Sequence, residues 1–318
     1  MDIYTALTTF SRIAFSIFLE AMPFLVLGAL ISGFMEVYVG HGRLEQLAPK
    51  NRLAQLGLGL AAGMALPTCE CGTVPLGRRL LVKGAPPTVA ITYMLAAPVI
   101  NPLVLASTFV AFGGRWDIAA ARALVVVVPA AFLGLMLGKI PARALLRPAA
   151  FAPAPQPAAD LGPVPAPAHG CGPACGCGHE HETGRSGRFL GALRHAAVEF
   201  LEMGKYLVVG SLVAGAFKVF VPWDMVEVMA SNLFLAVAGL MLLAVLLSVC
   251  SEADAFVAAS FVSFPAAAHL GFLALGPMVD LKLIAMYFGV FSRPAALAMI
   301  LTPVLLIYPL SLLVGVWL

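Results

Sequence analysis

The sequence predicts an all-α polytopic membrane protein built from two inverted repeats. Each repeat is read as about three transmembrane helices plus a re-entrant, broken-helix hairpin that carries a cysteine motif. Three observations lead there. The 318 residues are 61% hydrophobic and only 11% charged, against ~25% charged in ordinary soluble domains. Apolar runs at roughly 11–39, 86–112, 118–138, 196–221, 269–290 and 294–317 each supply the ~20 residues a helix needs to cross ~30 Å of hydrocarbon. Period-two patterning, the mark of a membrane barrel, is absent from them. Finally, the chain repeats itself. Phe18-Leu19-Glu20 aligns with Phe200-Leu201-Glu202 and the match continues through Leu25/Leu207, Gly28/Gly210 and Gly33/Gly215. Cys69 then pairs with Cys250, and Ala97-Pro98-Val99-Ile100-Asn101 with Gly276-Pro277-Met278-Val279-Asp280.

Residues 1–140 are thus a first membrane repeat, 141–194 a linker and 195–318 a second repeat, a pattern expected of transporters. Residues 1–10 lack a basic segment and a cleavage site, so the first span is read as retained. The loop after it carries Arg43, Lys50 and Arg52, whereas its counterpart carries Asp224 and Glu227. Equivalent loops therefore face opposite sides of the membrane. That requires an odd number of crossings per repeat, which follows if residues 53–83 dip in and return as a hairpin interrupted at Pro67 and Gly72. Thirteen of the nineteen Lys and Arg then lie inside, with Arg12, Arg115, Arg122 and Lys218 outside. Both termini are placed outside and the linker in the cytoplasm. The rival arrangement is eight plain transmembrane helices in parallel repeats.

The linker opens on a Pro/Ala-rich tract, 148–168, that reads as an extended tether without a core. His169, Cys171, Cys175, Cys177, His179 and His181 follow among glycines, a set of soft and borderline ligands suited to Zn(II) or Cu(I). Six cysteines in this arrangement are not an extracellular disulfide framework.

The membrane motif is Leu66-Pro67-Thr68-Cys69-Glu70-Cys71-Gly72, with a weaker copy at Ser248-Val249-Cys250-Ser251-Glu252-Ala253-Asp254. Ionisable groups at membrane depth are costly and mark functional sites. Cys69 and Cys71 can share a soft cation with Cys250 as third ligand; Cu(I), Zn(II) and trivalent arsenic all fit three thiolates. Glu70, Glu252 and Asp254 are candidates to balance its charge or carry protons. Glu20 with Glu202, and Asn101 with Asp280, occupy equivalent pathway positions, with Lys205 and Lys282 as candidate partners. The spans' methionines, Met94 and Met286 among them, read as packing.

The run Leu66 to Leu76 (LPTCECGTVPL), followed by Lys83-Gly84-Ala85-Pro86-Pro87 and Ala97-Pro98-Val99-Ile100-Asn101-Pro102, resembles the predicted-permease family that includes bacterial organoarsenical efflux permeases. With its Cys/His linker the chain is most similar to the copper/zinc efflux branch. The resemblance implies a multi-pass exporter of the bacterial inner membrane with the membrane cysteines as ligands. One departure stands out: the second copy keeps Cys250 and has Glu252 where the first has a second thiol.

The expectation is a permease, not an enzyme. Its cargo would be Cu(I) or Zn(II), with no permanently bound cofactor, and a metal chaperone is a candidate partner. Nucleic acid is not expected as one; the net charge of +3 is small and says little on that point. No G-x-x-x-x-G-K-[ST] loop is present to spend ATP. Efflux of trivalent arsenicals is the alternative, and an intramembrane thiol oxidoreductase using Cys69 and Cys71 a remote one.

Overall fold

The computed structural model describes residues 3–38, 48–66, 68–148, 185–220 and 232–318. Among them the chain is helical with one isolated β-bridge, Leu146 to Phe291, and it is an all-α polytopic membrane protein. The first half comprises α1 (Ile3–Tyr38), α2 (Arg52–Ala65), α3 (Glu70–Val82), α4 (Pro87–Ile100), α5 (Pro102–Ala111) and α6 (Trp116–Leu137), followed by the short α7 (Ala142–Leu145). The second half repeats that order: α8 (Arg185–Phe220), α9 (Leu233–Leu247), α10 (Asp254–Ser260), α11 (Ala266–Leu275), α12 (Leu281–Val290) and α13 (Arg293–Gly315). Because α8 starts at Arg185, the second helical unit begins before the boundary read at residue 195.

The helices on either side of the cysteine motif run as an interrupted hairpin requires. Gly59 of α2 lies against Val89, Thr92 and Tyr93, and Gly63 against Ala97, so α2 runs alongside α4 in the same direction. Gly77 of α3 lies against Met94 across the tight Lys83–Pro86 turn, so α3 runs the opposite way. The chain therefore reverses between Ala65 and Glu70, at the cysteine motif. In the second half, Gly271 packs on Met241 and Gly276 faces Ala244, the same parallel relation of α9 to α11.

Two apolar runs carry a capped break, the first inside a stretch, Pro87–Ala111, that is still long and apolar enough to cross a membrane. Residues 86–112 divide at Asn101, whose side chain accepts from Val104 N at 3.0 Å and so heads α5. Residues 269–290 divide at Asp280, which accepts from Leu283 N at 2.7 Å and heads α12. A side-chain acceptor at each break satisfies amides that would otherwise be orphaned in an apolar surround.

The long helices organise the halves around one another. Gly33 meets Ala192 and Ala196 while Gly215 meets Ala14, so α1 and α8 pack antiparallel along much of their length. Arg115, just before α6, donates to the Leu318 carbonyl at 3.3 Å, and at the other end Ser292 N donates to Leu145 O at 2.8 Å. α6 and α13 are therefore antiparallel too. α3 packs on α12 and α5 on α10, crossing between the halves. One apolar core runs through both halves and includes all three membrane cysteines.

A shallow cleft of about 540 Å³ gathers Lys50 and Gln55, the 84–87 turn and Ala142. It joins the ends that carry many of the basic residues, and we call this the basic end. Arg122, counted outside from the sequence, is instead fully buried within α6. A charge six residues inside an apolar helix has no water to reach, and this one is drawn inward by a partner described below.

Candidate functional site

Three thiols meet where the first hairpin reverses. Cys69 is the N-cap of α3, Cys71 lies in its first turn, and Cys250 sits in the turn after α9. All three are free and buried. Cys69 lies beside both Cys71 and Cys250. Among the described residues no three ligand side chains surround a common point as they stand. Cys250 Sγ donates to Glu252 Oε2 at 2.7 Å, which brings a carboxylate to the thiols.

Why the second turn holds its shape is local. Ser248 closes α9 in the left-handed region, φ 47, a conformation that costs a non-glycine residue about 1–3 kcal/mol. Its hydroxyl accepts from Leu281 N at 3.2 Å, tying the break after α9 to the break before α12. Thr68 bonds the buried Tyr93 hydroxyl at 2.9 Å in the first half.

Charges then run outward from the thiols across both halves. Glu70, the first residue of α3, accepts from Ser251 Oγ at 3.2 Å and from Lys282 Nζ at 3.4 Å. Lys282 lies 3.4 Å from Asp280 as well. Asp254, the first residue of α10, pairs with Arg122 at 2.6 Å, and Arg122 also donates to Thr108 at 2.6 Å. The two acids at the heads of α3 and α10 are thus each matched by a cation from the opposite half. Every one of these charged side chains is buried, where losing one partner of a pair typically costs ~3–5 kcal/mol.

Of the residues singled out in the sequence, the structure collects Cys69, Glu70, Cys71, Cys250, Glu252, Asp254 and Asp280. Asn101 and Asp280 act as helix caps. Glu202 stands apart, paired with Arg78 at 2.8 Å. Lys205 is exposed over the Tyr206 ring and does not partner it; Lys282 joins Asp280 as expected. The Glu20 side chain and the linker ligands His169, Cys171, Cys175, Cys177, His179 and His181 lie outside the described residues. Sequence reasoning missed Arg122, Ser251, Thr108 and Glu199. Arg122 had a readable signal, an arginine in the apolar run 118–138; Glu199 had another, an acid one helical turn before Glu202.

A family model described as "Predicted permease" (ArsP_1) matches residues 6–316. The chain is 35% identical over 305 residues to a Streptococcus mutans protein named as a putative two-component membrane permease complex subunit, covering 95% of this chain and 93% of that one. It is 34% identical over 310 residues to the Bacillus subtilis protein named UPF0718 protein YcgR, covering 96% of each. No solved structure matches it.

Proposed function

The chain belongs to the ArsP_1 family of predicted permeases, and from that membership we propose that it exports a soft cation, Cu(I) or Zn(II), from the cytoplasm of a bacterium across the inner membrane. The observation that carries this reading is the gathering of three buried thiols and Glu252 at the meeting point of two helix breaks, one from each half. Thiolates select soft ions, and a carboxylate in place of a fourth sulfur suits a mixed sulfur/oxygen site. The linker ligands would collect the ion on the cytoplasmic side and deliver it, with a metal chaperone as a candidate donor.

The two halves are read as inverted copies. The repeated element order and the antiparallel packing of α1 on α8 and α6 on α13 support this. Rocking of one copy on the other then exposes the thiols alternately to each side, with proton exchange at Glu70 and Glu252 as the drive. Transport that persists after collapse of the proton gradient would remove that drive.

One observation favours a second cargo: three thiols, with no imidazole beside them among the described residues, also suit a trivalent arsenical. Deleting residues 169–181 separates the two. Resistance to copper or zinc should fall on the first reading, while arsenical resistance should survive the deletion on the second. Like its Streptococcus mutans relative, named as a subunit of a two-component complex, the chain would work with a second membrane protein.

A further inference from the structure

The buried thiols lie between two clusters of ion pairs, each joining the halves. Toward the basic end, α3 carries Arg78 and Arg79 about two turns beyond Cys71, ~10–12 Å at 1.5 Å per residue. Arg78 lies 2.8 Å from Glu202 and 3.6 Å from Glu199; Arg79 lies 2.5 Å from Glu199. Both acids belong to α8, so the arm of the hairpin that holds the cysteines is fastened to the first helix of the second half. Toward the Arg115 end, Arg122 of α6 holds Asp254 at 2.6 Å and Thr108 of α5 at 2.6 Å. That cluster fastens the first half to the head of α10, four residues after Cys250.

A helix-to-helix contact made of buried charges is two-state. Intact, the charges face one another with little access to water, Glu202 alone keeping 34% of its side chain exposed; opened, they must find water, so parting the pair and wetting the gap happen together. Resting on the transport reading above, we propose that these clusters are the two gates. Arg78/Arg79 with Glu199/Glu202 shuts the thiol centre from the basic end, Arg122 with Asp254 shuts it from the Arg115 end, and the structure is the occluded state with both shut.

The test is alkylation of the membrane thiols by a charged, membrane-impermeant maleimide, in right-side-out and in inverted membrane vesicles. The protein carries Cys171→Ser, Cys175→Ser and Cys177→Ser, so that Cys69, Cys71 and Cys250 alone report. Asp254→Asn should raise labelling about 5- to 150-fold in one vesicle orientation only, and Glu199→Gln with Glu202→Gln should raise it in the other. Equal rises in both orientations, or none, overturn the gates. Should Asp254→Asn fail to assemble, Arg122→Lys carries the same reading, because its single ammonium cannot hold Asp254 and Thr108 together. Labelling does not depend on cargo. One-sided rises without copper, zinc or arsenical uptake would keep the gates and remove the cargo; uptake with orientation-independent labelling would remove the gates alone.

Discussion

Gly28→Ala should damage the protein where an identical change in the next helix improves it. A Cβ at Gly28 would stand 2.8 Å from the Gly72 Cα, 3.2 Å from its carbonyl oxygen and 3.4 Å from its carbonyl carbon. Ordinary carbon contacts are ~3.5–4.0 Å, so α1 and α3 must part by roughly 0.7–1.2 Å, or one must tilt. The obstacle is backbone, so no rotamer change relieves it. Overpacking of this kind costs about 1–3 kcal/mol, against a helix-propensity gain of up to ~1 kcal/mol for Ala over Gly. The net is destabilising by as much as ~2 kcal/mol, and the displacement falls on the residue after Cys71. A methyl group at Gly57 of α2 would meet nothing within 4 Å, so Gly57→Ala keeps only the favourable ~1 kcal/mol. Thermal unfolding in detergent and metal uptake in vesicles should both fall for Gly28→Ala and hold or rise for Gly57→Ala. Identical behaviour of the two variants would refute the close packing of α1 on the motif.

Gly210→Ala should show the same sign as Gly28→Ala, since its Cβ would stand 2.7 Å from the Lys282 Cα; a neutral result by unfolding would break the equivalence of the two glycines. Asp280→Ala removes the cap of α12 and one partner of Lys282, so it should lose ~0.5–2 kcal/mol for the cap alone, whereas Asp280→Asn keeps the cap and should recover that share in the same measurement. Lys282→Met leaves Glu70 and Asp280 buried without their cation and should destabilise by ~3–5 kcal/mol, read as a lowered unfolding temperature; Lys282→Arg should recover part of it.

Much of the fold was legible because two signals are strong in lipid. Long apolar runs reveal helices whatever their partners, and a repeated Phe-Leu-Glu at 18–20 and 200–202 is the signal from which two copies are read. The reversal at the cysteine motif was legible through Pro67 and Gly72. The breaks at Asn101 and Asp280 were harder: helix propensity inside an apolar run cannot show that a side-chain acceptor will take over the next amides. At the site, Cys69, Cys71 and Cys250 were found together because a thiol pair around a carboxylate is rare in such a run. Arg122 was misplaced, since a charge near the end of an apolar stretch reads as interfacial until a facing Asp254 from the distant half is known. Glu199 was overlooked for the same reason, its arginines lying on α3.

The most direct test of the account is ion uptake into inverted vesicles containing the purified protein, offered Cu(I), Zn(II) and a trivalent methylarsenical in parallel, with and without a proton gradient. Gradient-dependent copper or zinc uptake that is abolished by Cys69→Ser with Cys71→Ser, at unchanged expression, is the expected result. Uptake of the metals that is indifferent to losing both thiols would contradict it.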